Sequence, residues 1–359
     1  SCMRKKILII SNMYPSEKDP VYGTFVKEFV EGVAQIAPCW EVNKVVIKGR
    51  SKHVWVKIFK YISFYSSIFY RLFFGRYDYV YVHLITHAAL PLRIVSFFKT
   101  LPLVFNVHGE DLLTQSRLAA YFLKLVIPLL KKAHLIVIPS EYFKTRFREV
   151  LPMIPENKLY VSPSGGIDTD LFTPCTRKKS SVYTIGYVSR IDRGKGWDTL
   201  LEAVALLVER NYNVKVIIAG RGAETQIIKK SICRLKLENI VYLGGVPHAR
   251  LSEVYNKMDV FVFPTKLEES LGLVGLEAMA CGVPVIASRI GGLTDYIQEG
   301  VNGCFFEPGV PISLAEAIMW HISNEPVQKE ALKAAAVQTA KCYAKEKVLN
   351  QLCSQLGII

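Results

Sequence analysis

The segment EESLGLVGLEAMACGVPVI, starting at Glu268, carries Glu269 and Glu277 with seven residues between them around a glycine-bearing turn. Paired carboxylates can cleave sugars by acid/base chemistry when they stand about 5–9 Å apart. The neighbouring residues favour another role. LGLVGLEAMA reads as a loop entering a short helix, with Leu273, Leu276 and Ala280 on one apolar face and Gly282 as its stop. Glu269 then precedes the first turn and Glu277 lies inside the helix. A helix start leaves backbone N–H groups unpaired and carries partial positive charge, so Leu271, Gly272, Leu273 and Val274 can hold an anion. Carboxylates beside an anion accept hydrogen bonds from hydroxyls of the same ligand, which points to a phosphorylated, hydroxyl-rich molecule such as a nucleotide sugar. A capped surface helix with solvated acids is the competing reading of this segment alone.

GYVSRIDRGKGWDTL supplies the matching cations. A strand ending at Arg190, a loop with Gly194 and Gly196, and a helix from Trp197 project Arg190 and Lys195 from one strand-to-helix turn. Two cations beside helix N–H groups make a diphosphate clamp, each charge-assisted bond contributing about 1.5–3 kcal/mol. Taken alone, the segment is equally a surface loop with solvated charges.

Other motifs are weaker. AGRGAET has Thr225 where a dinucleotide fingerprint needs its third glycine, so it reads as a tight turn. The sequence lacks GxxxxGK[ST], and DTD at 168–170 has no neighbouring acid or His to complete an oxygen shell, so no metal is expected. NVHGED puts His108 at a strand end, where it can orient a ligand or serve as a structural histidine. Gly23, in SNMYPSEKDPVYGTF, opens a helix and allows close backbone approach, or is simply a turn.

These residues need a scaffold, and the chain alternates strand-like and helical runs. KKILIIS, NKVVIK, YDYVYVHLI, LPLVFNVHG, AHLIVIPS and KLYVSPS read as strands of a first half, with helices such as GTFVKEFVEGVAQIA between them. After the turn-rich linker PSGGIDTDLFTPCTRKKSS, the strands SVYTIGYVS, NVKVIIAG, NIVYLGG, DVFVFPT and VPVIAS restart the pattern. The expected architecture is α/β: two facing, Rossmann-like, doubly wound domains with ligands in the cleft between them. The expected domains are 1–172 and 173–359, with the terminal helix, about 343–359, packing back on the first.

Composition narrows the classes. A chain of 359 residues exceeds what one core usually holds. The eight cysteines are scattered without a CxxC pair and read as free thiols of a reducing compartment. Ser1 and Cys2 ahead of Met3 read as an added remnant, and the first apolar run reads as a strand, being too short for a signal peptide. The net charge of +14 is uneven: residues 1–173 hold 23 Lys/Arg against 13 Asp/Glu. Between Glu41 and Asp78 there is no acid, while KIFKYISFYSSIFYRLFF repeats Ile58, Ile62, Tyr65, Phe69 and Leu72 at helical spacing. This basic, aromatic segment, 44–76, reads either as a helix on an anionic lipid surface or as a core-facing helix with a basic rim. No zinc finger or RNA-binding signature accompanies the charge, so nucleic acid is not expected.

Together the motifs resemble the retaining glycosyltransferases of family 4, which have the GT-B fold. The likeness runs through Gly23, HGED, SPSGGIDTDLF, GYVSRIDRGKG, AGRG and the E-x7-E segment EESLGLVGLEAMACGVPVIAS. It implies a nucleotide-sugar donor, no metal, Arg190 and Lys195 on the diphosphate, aided by N–H groups of 271–274, Glu269 on the transferred sugar and Glu277 on the ribose. It further implies base contacts near Gly244 and Val246, room for phosphate or acceptor at Gly23, and His108 facing the sugar. The chain departs from the pattern at Tyr22-Gly23, where a double glycine is frequent, at Gly165-Gly166, where Asn-Gly is usual, and at Leu271, where an aromatic is frequent. The expected function is transfer of a sugar to a lipid-linked glycan acceptor by a cytoplasmic enzyme peripheral to the inner membrane face, in surface polysaccharide assembly. The rivals are a nucleotide-sugar epimerase of the same architecture and a non-catalytic lipid-surface binding protein.

Overall fold

The computed structural model describes residues 4–113, 116–176 and 180–359. Ser1, Cys2 and Met3, and Arg177, Lys178 and Lys179 of the linker, lie outside the described residues. Two compact units result: Ser1–Gly165 with Glu346–Ile359, and Gly166–Lys345. The division thus falls seven residues before the expected 172/173 boundary, for a packing reason. The Ile167 N–H donates to the Tyr343 carbonyl at 2.9 Å, the Lys345 N–H donates to Ile167 at 2.8 Å, and Phe172 is buried against Tyr255. These contacts hold 166–172 in the second unit.

In the first unit β1 (Lys6–Tyr14), β2 (Glu41–Lys48), β3 (Tyr79–His83), β4 (Leu103–Asn106), β5 (Leu135–Ile138) and β6 (Leu159–Val161) form one parallel sheet in the order β2-β1-β3-β4-β5-β6. The inner strands β3, β4 and β5 are largely apolar and buried because helices cover both faces, whereas the edge strand β2 carries the exposed Lys44 and Lys48. Leu8, Ile10, Val82, Phe105 and Ile136 pack with the helices Val54–Phe74, Ala89–Ser96 and Arg117–Lys132. Their alternates Ile7, Ile9, Tyr81, Val104 and Val137 pack with Thr24–Ile36 and the terminal helix Lys345–Gln355. Tyr79 secures that last helix by donating its hydroxyl to the Leu356 carbonyl at 2.7 Å.

The second unit repeats the plan with β7 (Tyr183–Val188), β8 (Val214–Ala219), β9 (Ile240–Gly244), β10 (Val260–Phe263), β11 (Val285–Ser288) and β12 (Gly303–Phe306), in the order β12-β11-β10-β7-β8-β9. The pairs are all parallel. Strand β12 is an addition to the sequence reading; GCFF is short and bracketed by turns, so it offers little periodicity. Strand order reverses between β1 and β3 and again between β7 and β10. In open α/β sheets these reversals, at the carboxyl ends of the strands, are where ligands bind.

Candidate functional site

The loops leaving β7 and β10 meet at the second reversal. The Lys266 N–H donates to the Gly194 carbonyl at 2.8 Å. Gly196 caps the helix Trp197–Glu209 at φ 77°, and a Cβ there would run into the Pro264 carbonyl, so only glycine lets the loops close. Lys195 and Glu269 consequently meet, with Nζ 2.9 Å from Oε1 and both side chains only 17 % exposed. The buried Thr265 hydroxyl donates to the same Oε1 at 2.9 Å. The backbone of Glu269 is fixed from β11, whose following turn Gly291–Asp295 donates the Gly292 N–H to its carbonyl at 2.7 Å. A Cβ at Gly291 would come within 2.7 Å of the Glu269 backbone.

Three residues after Glu269, Gly272 adopts φ 90° and starts the helix Leu273–Ala280, which no side chain caps. Leu271 turns its side chain into the core, while Gly272, Leu273 and Val274 are half-buried. The helix is not the one-faced element expected from Leu273, Leu276 and Ala280: Gly275 through Ala280 are all buried, Glu277 among them. The reading of solvated surface acids therefore fails for Glu277. Its Oε2 lies 2.8 Å from Nε2 of the exposed His248, and its Oε1 accepts from the buried Tyr255 hydroxyl at 3.3 Å. Phe172 packs edge-on to His248, with ring centroids 5.2 Å apart. Such support leaves carboxylate lone pairs for further donors.

Arg190 stands apart from this contact. Its exposed side chain reaches Asp192, Nε to Oδ2 at 3.3 Å, while Oδ1 of Asp192 accepts the Ala223 N–H at 2.8 Å and ties in the AGRG turn. Gly244 ends β9 at φ 68°, and Val246 just beyond is half-buried against the second unit's core. Asp168 closes a local turn, Oδ1 accepting from the Asp170 and Leu171 N–H groups and Oδ2 from Lys345. Burial alone would raise its pKa; these donors outweigh burial and hold it below the usual carboxylate range. No cluster of three or more potential metal ligands occurs among the described residues.

In the first unit, register sets His83 at the end of β3 beside Asn106 of β4, two residues before His108. His83 Nδ1 and His108 Nε2 lie 3.1 Å apart, beneath Phe25, whose ring centroid is 5.0 Å from that of His108. Burial pushes His108 down to about 4 and His83 well below the usual range, the latter further lowered by His108, so both are neutral near pH 7. The buried Asp111 accepts N–H bonds from His108 and Gly109 on Oδ1 and from Ile85 on Oδ2, and burial nevertheless lifts it to about 6. Gly23 has a packing reason: at φ 71°, its Cβ would come within 2.5 Å of the Tyr14 nitrogen.

Sequence reasoning missed Thr265, Gly291, Gly292, Tyr255, His248 and His83. Three had signals: Thr265 closes the run DVFVFPT four residues before Glu269, and Gly291 and Gly292 form the IGG that follows the next strand.

Two doubly wound parallel units, the second with charged groups at its strand-order reversal, define the GT-B class of fold. A solved structure of Anabaena Alr3699/HepE in complex with UDP has this fold, at TM-score 0.77 and 20% identity, covering 99% of this chain and 100% of that one. Residues 29–171 match the model for Glycosyltransferase Family 4, and residues 172–338 that for Glycosyl transferases group 1. The chain belongs to glycosyltransferase family 4. It is 33% identical over 207 residues to a D-inositol 3-phosphate glycosyltransferase of Corynebacterium urealyticum, covering 52% of this chain and 48% of the relative. It is 30% identical over 214 residues to the capsular polysaccharide biosynthesis glycosyltransferase CapM of Staphylococcus aureus, covering 56% and 53%. The chain spans about half the length of the curated relatives it matches.

Proposed function

We propose that this chain is a retaining glycosyltransferase that moves a sugar from a nucleotide-diphosphate sugar to a lipid-linked glycan acceptor in surface polysaccharide assembly. The observation that carries the reading is the Lys195–Glu269 contact at the β7/β10 reversal, followed at once by an uncapped helix start. Family membership supports it, as do the UDP in the name of the HepE structure and the polysaccharide role in the name of CapM.

Lys195, Arg190 after rotating from Asp192, and the N–H groups of 271–274 hold the diphosphate without a metal ion. Glu269 takes hydroxyls of the transferred sugar and Glu277 those of the ribose, with the base near Gly244 and Val246. In the first unit His108 offers a neutral imidazole to a ligand hydroxyl, and the chain around Gly23 lies on the acceptor's side. No side chain acts as nucleophile. The acceptor hydroxyl attacks from the face the diphosphate leaves, and the departing phosphate oxygen takes its proton. The protein contributes positioning and stabilisation of charge on the leaving group. The basic region 44–76 brings the enzyme to the anionic cytoplasmic face of the membrane, where a lipid-linked acceptor resides.

Thermal shifts of the full chain with UDP, GDP and ADP test the donor site, since ligand bound to the native state raises Tm by mass action. One of the three is expected to raise Tm in the wild type and to raise it less in Lys195→Ala at the same concentration; no shift with any nucleotide would refute the reading.

A further inference from the structure

His108 is held at two points. Its backbone N–H and that of Gly109 donate to one oxygen of the buried Asp111 carboxylate, whose other oxygen accepts from Ile85. Its ring is held by His83. Nε2 of His108 lies 3.1 Å from Nδ1 of His83, 25 residues away in the chain, because β3 and β4 are neighbours and end together. His83 is itself fixed: it is 3% exposed, with the ring of Phe29 nearly perpendicular to it at 4.9 Å and that of Tyr81 at 5.0 Å. Its Nε2 is buried with no hydrogen-bond partner among the described residues.

Burial keeps both imidazoles neutral near pH 7, so each carries one hydrogen, and two arrangements satisfy the contact between them. If His108 donated from Nε2, the hydrogen of His83 would sit on its own Nε2, buried in a cage of aromatic rings that replace an acceptor only weakly. If His83 donates from Nδ1, its Nε2 keeps a bare lone pair instead. Buried N–H groups are left without a partner less often than buried acceptors are, which favours the second arrangement. The hydrogen of His108 then lies on Nδ1, the ring nitrogen for which the described residues supply no partner.

We propose that His83 is a positioning residue: it donates Nδ1–H to Nε2 of His108 and so makes His108 a donor through Nδ1–H, which goes to a hydroxyl oxygen of the transferred sugar. A donor whose hydrogen is placed before the ligand arrives needs no rearrangement when the ligand binds. The sugar step rests on the proposed function; the placement of the two hydrogens does not.

The test is nitrogen NMR of the full chain with isotope-labelled histidine near neutral pH, where long-range proton–nitrogen correlations separate a protonated ring nitrogen from a bare one. Signals are assigned from His108→Gln and His83→Phe. In the wild type His83 and His108 are both expected to be protonated at Nδ1 and bare at Nε2. A hydrogen on Nε2 of His108, or two tautomers in comparable amounts, overturns the proposal. His83→Phe keeps a ring in the cage but removes the donor, so His108 should lose its single tautomer; His83→Asn, whose amide N–H can take the place of Nδ1–H, should restore it. An unchanged His108 spectrum in His83→Phe overturns the proposal, since the tautomer would then owe nothing to His83. The sugar step is read by calorimetry with UDP against UDP-glucose, GDP against GDP-mannose and ADP against ADP-glucose. For the pair that binds, His83→Phe should weaken the sugar nucleotide about tenfold, the loss of one hydrogen bond, leave the nucleoside diphosphate unchanged, and be rescued in His83→Asn. Equal weakening of both ligands, or no rescue, would make His83 merely structural and overturn the proposal. Binding by none of the pairs would refute the donor reading and the sugar step with it, while the hydrogen placement would still stand on the spectra.

Discussion

Lys195 and Glu269 are 74 residues apart in the chain, yet Nζ and Oε1 lie 2.9 Å apart because β7 and β10 are neighbours and each hands its loop to the other. The pair is mostly buried, so its charges are weakly screened, and the Thr265 hydroxyl fixes the carboxylate independently of the lysine. Lys195→Ala should weaken the bound nucleoside diphosphate by about ten- to a hundredfold, the loss of one charge-assisted bond. Glu269→Gln should leave nucleoside diphosphate affinity nearly unchanged while turnover collapses. Titration calorimetry with turnover assays separates the two; equal effects on affinity would remove the division of labour between them.

Glu277 should show a stability role and a binding role that separate. Glu277→Ala deprives the buried Tyr255 hydroxyl of its acceptor and should lower stability by about 1–3 kcal/mol, read as a urea midpoint. Glu277→Gln keeps an acceptor, so stability should hold while the preference for UDP over 2′-deoxy-UDP shrinks. An unchanged preference would detach Glu277 from the ribose.

How much of this was legible depends on distance along the chain. The strands from KKILIIS to VPVIAS stand out as apolar runs, and the motif residues fall on the loops and helix that their spacing indicates. Strand order is not written locally, so the Lys195–Glu269 contact follows from topology once β7 lies beside β10. Tyr255 and His248 are 22 and 29 residues from Glu277, with nothing in their own surroundings to tie them to it. Arg190 shows the converse: its position after β7 is as read, but the neighbouring Asp192 sets its direction. In the helix Val54–Phe74, aromatics on both sides blur the periodicity that identifies a single buried face.

Gly196→Ala should pull the two loops apart. A left-handed backbone and a Cβ against the Pro264 carbonyl predict a loss of about 1–3 kcal/mol, with nucleotide affinity falling alongside stability. Normal affinity in a destabilised Gly196→Ala would mean that loop closure is not part of the site.

The histidine pair predicts a pH signature. His108 has a folded pKa of about 4 against an ordinary 6.5, so its contribution is fully present above 6.5 and is lost as pH falls towards 4. Asp111, raised to about 6 by burial, works in the opposite sense: its contribution is present below the ordinary value of 3.8 and is lost as pH rises through 6. The wild type should therefore gain stability relative to His108→Gln between about pH 4 and 6.5, and the difference should be flat above pH 7. Urea midpoints across that range decide it; parallel profiles would show that His108 does not titrate in the folded chain with a depressed pKa.

If Lys195, Arg190 and the N–H groups of 271–274 suffice for the diphosphate, EDTA should leave both the nucleotide Tm shift and turnover unchanged. Loss of either, restored by a divalent ion, would place a metal in the donor complex.

The most direct measurement is a crystal structure of the full chain with whichever nucleoside diphosphate raises its Tm. The account predicts the diphosphate within hydrogen-bond reach of Lys195 Nζ and the N–H groups of Gly272, Leu273 and Val274, with the ribose hydroxyls on Glu277. A nucleotide seated elsewhere, with Lys195 still closed on Glu269 and the helix start bare, would contradict it.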